Sequence, residues 1–154
     1  MDVLPKFKNE SCGDVKKIEY SSADPLPEDT IYNKIIKLCA KNNLNIKELA
    51  SRAGIKYQTI YAYKNIVKDY NLVTLHKIAT VFGYDIKYFI AFDMSIIGDR
   101  IKYLRIINGY GVSDFAKLIG VHRDTIRTWE SNHIFPSESN LLLLSAFLGE
   151  QFLL

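Results

Sequence analysis

The side chains that most often carry out catalysis or bind metals are scattered through this chain. His76, His122 and His133 stand apart from one another and from both cysteines, Cys12 and Cys39, which favours surface or capping roles over metal ligation. The carboxylates occupy separate positions, and no serine or cysteine sits in a nucleophile motif. The sequence therefore predicts no enzyme, no metal site, no cofactor and no small-molecule ligand.

Positive charge is concentrated in one part of the chain. The net charge is only +3 over 154 residues. Residues 31–92, however, hold ten Lys and Arg against three acids, or +7, whereas residues 1–30 carry −3 and residues 93–154 carry −1. A small region with this excess of positive charge is suited to a polyanion.

The sequence carries no recognisable signal for export or membrane insertion. Lysines interrupt the N-terminal region where a signal peptide would lie, and the apolar run that starts at Leu141 is far shorter than a membrane span. The two cysteines do not make a disulfide framework. We therefore expect a cytoplasmic protein that does not contact the membrane.

Two segments of the chain repeat each other at an offset of 66 residues. The sequence AGIKYQTIYAY at residues 53–63 aligns without a gap on IGVHRDTIRTW at residues 119–129, which pairs Gly54 with Gly120. The same offset pairs further apolar or small residues on both sides: Ile35 with Ile101, Leu38 with Leu104, Ala50 with Ala116, Ile60 with Ile126, Leu75 with Leu141 and Gly83 with Gly149. A register kept over roughly fifty residues predicts two copies of one small fold.

Each copy reads as a helix, a glycine turn and a second short helix, because apolar residues recur at helical spacing on both sides of the glycine. We predict an all-α protein with about five short helices in each copy. The predicted organisation is a partly disordered N-terminal arm over residues 1–29, a basic first domain over 30–93 and a second domain over 94–154.

These residues resemble the phage repressor and Cro-type helix-turn-helix proteins, also called the XRE family. The second copy shows the likeness best, in LR at 104–105, DFAKLIGV at 114–121, TIRTWE at 125–130 and Pro136 before a leucine-rich helix. The resemblance implies two tandem lambda-repressor-like domains, a bacterial or phage origin, and a nucleoid-associated regulator of transcription. In such domains the third helix enters the DNA major groove.

The resemblance also assigns roles to individual positions. Base-reading residues are expected on the outward side of each third helix: Tyr57, Gln58, Tyr61, Ala62, Arg123, Asp124, Arg127 and Thr128. Gln can bridge the donor and acceptor of adenine, and Arg can bridge the two acceptors of guanine. Phosphate contacts are expected from flanking residues: Lys47, Lys56, Lys64, Lys68 and His122. The sequence departs from the family where Ile46 and Val112 replace a common phosphate-binding glutamine.

Two alternatives stay open at this point. The protein could be an interaction adaptor or an antitoxin-like partner that uses the helix-turn-helix fold without reading DNA, above all through its nearly neutral second copy. Asp124 could pair with the neighbouring Arg123 or accept a hydrogen bond from cytosine. Besides double-stranded DNA, we expect a possible homodimer, because the sequence ends in the apolar residues Phe152, Leu153 and Leu154.

Overall fold

The computed structural model describes residues 29–66, 70–149 and 152. The chain divides between Asp85 and Ile86 into two compact units, here called unit 1 and unit 2. All regular structure in the described residues is helical. In residues 29–66 and 70–85, unit 1 contains four α-helices: α1 at Ile31–Lys41, α2 at Ile46–Ala53, α3 at Tyr57–Ala62 and α4 at Leu72–Val81.

Local sequence signals set the ends of the helices in unit 1. Thr30 caps α1, because its hydroxyl accepts the N–H of Asn33. Asn45 and Glu48 form a capping box at the start of α2, in which each side chain accepts the other residue's backbone N–H at 2.9 Å. Gly54 ends α2 in the left-handed conformation with φ of +64°, which a residue with a Cβ adopts at a cost.

Unit 2 repeats the same helices at the predicted offset. Its helices are α5 at Ile97–Ile107, α6 at Val112–Ile119, α7 at Arg123–Glu130 and α8 at Glu138–Leu148. Adding 66 to the bounds of α1 and α2 gives those of α5 and α6 without any shift, and Gly120 ends α6 as Gly54 ends α2. The predicted all-α fold with two tandem copies is confirmed.

The predicted fifth helix is shorter than expected. Between α4 and α5 the chain forms only a 3-10 helix at Ile86–Tyr88. The corresponding part of the second copy is described only at Phe152, which is fully buried and whose carbonyl accepts a hydrogen bond from Arg100. Phe152 therefore belongs to the core of unit 2, so it does not offer the partner surface that the sequence suggested. Leu153 and Leu154 lie outside the described residues.

Each unit buries an apolar core between its helices. In unit 1 the fully buried residues include Ile35, Leu49, Ile60 and Ile78, one from each helix. In unit 2 the core consists of Ile101, Leu104, Phe115, Ala116, Ile119, Ile126, Trp129, Leu144, Leu148 and Phe152. Ile60 and Ile126, which the offset of 66 residues pairs, are fully buried and anchor the third helix of each unit, so they fix which of its faces is turned to solvent.

The domain limits predicted from the sequence, at residues 29/30 and 93/94, stay a prediction. Most of the N-terminal arm lies outside the described residues. No helix in the described parts of the chain is long and apolar enough to cross a membrane.

Candidate nucleic-acid interface

The outward side of α3 presents an amide and two tyrosines at its surface. Gln58 and Ala62 are exposed, whereas Tyr57 and Tyr61 are half-buried. The two tyrosine rings meet edge to face with centroids 6.1 Å apart, and Lys47 Nζ lies 5.9 Å from the Tyr57 centroid. These contacts restrain both tyrosines, so the exposed Gln58 is the group on α3 best placed to donate and accept hydrogen bonds.

Lysines border the exposed side of α3. Lys56 is the N-cap residue of α3, Lys64 follows its C-terminus, and Lys47 lies in the first turn of α2. All three are exposed, and within the described part of the chain none of them forms a salt bridge. Their charge is therefore available to a polyanion. Lys68, the fourth phosphate-binding residue predicted in this copy, lies outside the described residues.

The outward side of α7 is electrostatically different because Asp124 stands among its cations. The Asp124 carboxylate accepts from Arg127 at 3.1 Å and lies 3.8 Å from Arg123 Nε. One carboxylate oxygen of Asp124 also lies 3.3 Å from His122 Nδ1. The same nitrogen accepts a hydrogen bond from the Asp124 backbone N–H at 3.3 Å, so His122 caps the start of α7. Two guanidinium groups thus share one carboxylate, and these three side chains carry a net charge of only +1.

Asp124 pairs with Arg123, one of the two possibilities that the sequence left open, and also with Arg127. The closer contact is to Arg127, one helical turn along, and not to the adjacent Arg123, because residues three apart share a helix face. Thr128, another predicted base-reading residue, is half-buried and donates its hydroxyl hydrogen to the Thr125 carbonyl at 2.8 Å. Arg123, Asp124 and Arg127 are the exposed polar residues on the side of α7 that the sequence assigned to base reading.

A buried ion pair positions α7. Arg105 on α5 is 4% exposed and makes two bonds to the Glu130 carboxylate, at 2.5 Å from Nε and 2.9 Å from the terminal guanidinium nitrogen. It also donates to the Tyr110 carbonyl at 2.7 Å. Such a bidentate pair fixes both distance and angle between two helices. The motifs LR and TIRTWE contain both residues, but the sequence does not indicate that they meet across 25 positions.

Unit 1 has no counterpart of this ion pair. At the offset of 66, Cys39 replaces Arg105 and Lys64 replaces Glu130. Cys39 is buried, and burial raises the pKa of its thiol to about 12, with a smaller contribution from Glu48. Lys64 is exposed, in contrast to Glu130, which is paired with a buried arginine. Unit 1 thus carries a surface cation where unit 2 carries half of a structural ion pair.

Unit 1 also carries polar residues on a second face, of which the sequence singled out only His76, as a surface or capping residue. Arg52, His76, Lys77 and Thr80 line a shallow depression of about 510 Å³ beside α2 and α4. His76 Nδ1 is buried there without a hydrogen-bond partner among the described residues. No cluster of three potential metal ligands occurs in the parts of the chain that the structure describes.

Comparison with known protein families assigns both copies. Residues 34–93 match the Cro/C1-type HTH DNA-binding domain, and residues 101–153 match the family described as helix-turn-helix. No curated protein and no solved structure gave a significant match. The matched ranges contain both third helices and their glycine turns. The chain therefore consists, over most of its described length, of two tandem helix-turn-helix domains of the Cro/C1 (XRE) type, the kind found in DNA-binding regulators.

Proposed function

We propose that this protein is a transcriptional regulator that recognises specific sequences in double-stranded DNA and works on the nucleoid. In this proposal α3 enters the major groove and reads bases through Tyr57, Gln58, Tyr61 and Ala62. The lysines beside α3 hold the phosphates on either side. Unit 1 supplies most of the electrostatic affinity, and unit 2 adds sequence preference through Arg123, Asp124 and Arg127.

The single observation that carries this proposal is the composition of the exposed border of α3. Lys47, Lys56 and Lys64 surround a short helix whose outward side holds Gln58, and no described carboxylate neutralises these lysines. Phosphate contacts of this kind give affinity for any duplex, whereas an exposed amide can discriminate between base edges. The charge of +7 in residues 31–92 supports the same assignment.

A second role for unit 2 follows from the weakly charged surface of α7. Because Asp124 engages Arg127 and lies near Arg123, α7 offers DNA little net charge. A helix-turn-helix unit of this kind is suited to binding protein instead of DNA. In that case each chain reads DNA with unit 1 only, and unit 2 acts as an interaction module.

The test uses binding of the full chain to duplex DNA at several salt concentrations, after the preferred site has been selected from a random pool. We expect Lys56→Ala combined with Lys64→Ala to weaken binding to every duplex and to reduce the salt slope by about two units, one for each lost phosphate contact. Gln58→Ala should instead remove about 1–3 kcal/mol of preference at one or two base pairs and leave the slope unchanged.

The matched control is Lys77→Ala, which removes one positive charge from an exposed position on α4. It should change the slope by much less than half of the change in the double variant. A protein that does not shift random duplex DNA at low salt would contradict the proposal. If Arg123→Ala and Arg127→Ala both leave affinity and sequence preference intact, unit 2 does not read DNA.

A further inference from the structure

The loop between α7 and α8 exposes two large apolar side chains. Phe135 is 66% exposed, more than any other large apolar residue that the structure describes, and the adjacent Ile134 is 58% exposed. These two residues are here called the apolar tip. A single apolar side chain at a surface is ordinary, so the case for a contact site depends on where these two lie and on how they are held.

The backbone of this loop attaches the apolar tip to the side of α7 that the sequence assigned to base reading, here called the reading side. The carbonyl of Thr128, one of the predicted base-reading residues, accepts the backbone N–H of Ile134 at 3.3 Å and that of the preceding residue at 3.0 Å. The loop thus folds back onto the last turn of α7. The apolar tip therefore lies at the C-terminal end of α7, next to a residue of its reading side.

The same loop is restrained on both sides of the tip. Asn132 adopts a left-handed backbone conformation with φ of +59°, and its side-chain oxygen accepts the N–H of Gly98 on α5 at 3.0 Å. Pro136, directly after the tip, is buried, and Ser137 caps α8. The apolar tip is therefore held at the surface by a fixed backbone, which lowers the conformational entropy that is lost when it binds another molecule.

Unit 1 carries charged residues at the positions of the tip. At the offset of 66, Ile134 corresponds to Lys68 and Phe135 to Asp69. A phosphate contact is predicted from Lys68, and an isoleucine side chain cannot make that ionic contact. Unit 2 thus has apolar surface in place of a predicted phosphate ligand, in a part of the chain, residues 93–154, whose net charge is −1. The binding of unit 2 to DNA therefore depends less on charge than that of unit 1.

We propose that the apolar tip contacts thymine methyl groups, so that unit 2 recognises thymine at the end of the site covered by α7. This inference rests on the proposed function, because it requires α7 to lie in the major groove. The C5-methyl of thymine is the apolar group among the base edges that the major groove presents, and phenylalanine is one of the side chains that contact it. Phe135 makes this contact, and Ile134 beside it excludes water.

The surroundings of the tip favour DNA over a protein partner. Residues 101–153, which contain both α7 and the tip, match a helix-turn-helix family. Arg123 and Arg127 are exposed on the reading side of α7, and Asp124 offsets only one of their two charges. A positive charge therefore remains close to an apolar surface. This combination suits the major groove, where phosphates border base edges that carry methyl groups.

Binding of the full chain to its selected duplex, with single thymines replaced by deoxyuridine, tests this inference, because the replacement removes only the methyl group. At one or two positions the wild type should bind about fourfold more weakly, as expected for the loss of one buried methyl group. Phe135→Ala should weaken binding to the thymine duplex at least as much, and it should abolish the effect of deoxyuridine at those positions. The salt slope should stay unchanged, because no charge is lost.

The matched control is Leu142→Ala, which truncates an apolar side chain of similar exposure, 64%, on α8. It should leave both the affinity and the deoxyuridine effect unchanged. Circular dichroism establishes that each variant is folded.

The outcomes separate this inference from the proposed function. A chain that binds no duplex DNA overturns both. Salt-dependent DNA binding without a deoxyuridine effect, or with an effect that Phe135→Ala leaves intact or Leu142→Ala abolishes equally, overturns this inference alone. A Phe135→Ala variant that binds the selected duplex as tightly as the wild type does so as well, and it would assign the apolar tip to a protein partner.

Discussion

Replacing Asp124 by asparagine should turn α7 into a cationic reading helix. The Asp124 carboxylate accepts from Arg127 at 3.1 Å and lies 3.8 Å from Arg123 Nε. Both partners of the closer pair are well exposed, with side-chain exposures of 60% for Arg127 and 59% for Asp124. Because exposed pairs contribute only about 0.2–1 kcal/mol, Asp124→Asn should barely change the stability of unit 2.

The effect on DNA binding should be much larger than the effect on stability. Removal of the carboxylate frees one guanidinium charge for a phosphate, which steepens the salt dependence of binding by about 0.9 units of slope. The ratio of the variant's affinity for random duplex DNA to that of the wild type should therefore be about eightfold larger at about 0.1 M salt than near 1 M. Between about 50 and 200 mM salt the variant should lose roughly 3.5-fold more affinity than the wild type does.

Fluorescence anisotropy with a labelled random duplex at four or more salt concentrations measures both quantities. Glu138→Gln is the matched control, since it removes one exposed negative charge from α8 instead of α7. If Asp124→Asn and Glu138→Gln both give the same slope as the wild type, neither Arg123 nor Arg127 gains a phosphate contact, and the reasoning about charge on α7 is refuted. If Asp124→Asn chiefly loses sequence preference, its carboxylate reads a base.

Three further predictions concern stability, measured as the free energy of unfolding in urea. Arg105→Ala should lower the free energy of unfolding by about 3–5 kcal/mol, because Glu130 is left unpaired. Adding Glu130→Ala should recover part of that loss. A loss below about 1 kcal/mol in the single variant would contradict the pairing. Gly98→Ala should lower the free energy of unfolding by about 1–3 kcal/mol, since the new Cβ would lie 2.4 Å from the Trp129 carbonyl oxygen. An unchanged free energy would show that α5 can move away from this oxygen without cost. Burial raises the pKa of the Cys39 thiol from 9.0 to about 12, so on raising the pH the thiol of the unfolded chain loses its proton before that of the folded chain. The free energy of unfolding should therefore fall as pH rises above 9.0, by at most about 1.4 kcal/mol per pH unit. Cys39→Ala should make that fall shallower, and an equally steep fall in the variant would exclude the thiol as its source.

The sequence predicted the parts of the fold that depend on local signals. It predicted the glycine turns, which the structure places at Gly54 and Gly120. The capping box of Asn45 and Glu48 likewise depends only on residue type and spacing. Such features involve residues a few positions apart, so a single sequence contains them in full.

Contacts between distant positions could not be predicted in the same way. The pair of Arg105 and Glu130 joins two helices, and nothing in the sequence indicates that both residues turn inward. The burial of Phe152 depends on where the chain returns after α8, which periodicity does not show. The apolar run at residues 141–144 predicted a helix, but only the structure separates the buried Leu144 from the exposed Leu142.

The absence of the internal ion pair from unit 1 bears on how each unit adapts to DNA. A bidentate pair is directional and holds α7 at one angle to α5. Cys39 and Lys64, at the equivalent positions of unit 1, cannot make such a pair, so α3 lacks this restraint. DNA varies in groove width and bend from sequence to sequence, and a reader that tilts can follow those variations. We therefore expect unit 1 to accommodate the shape of its site by adjusting α3, and unit 2 to present α7 as a rigid template with the same orientation before and after binding.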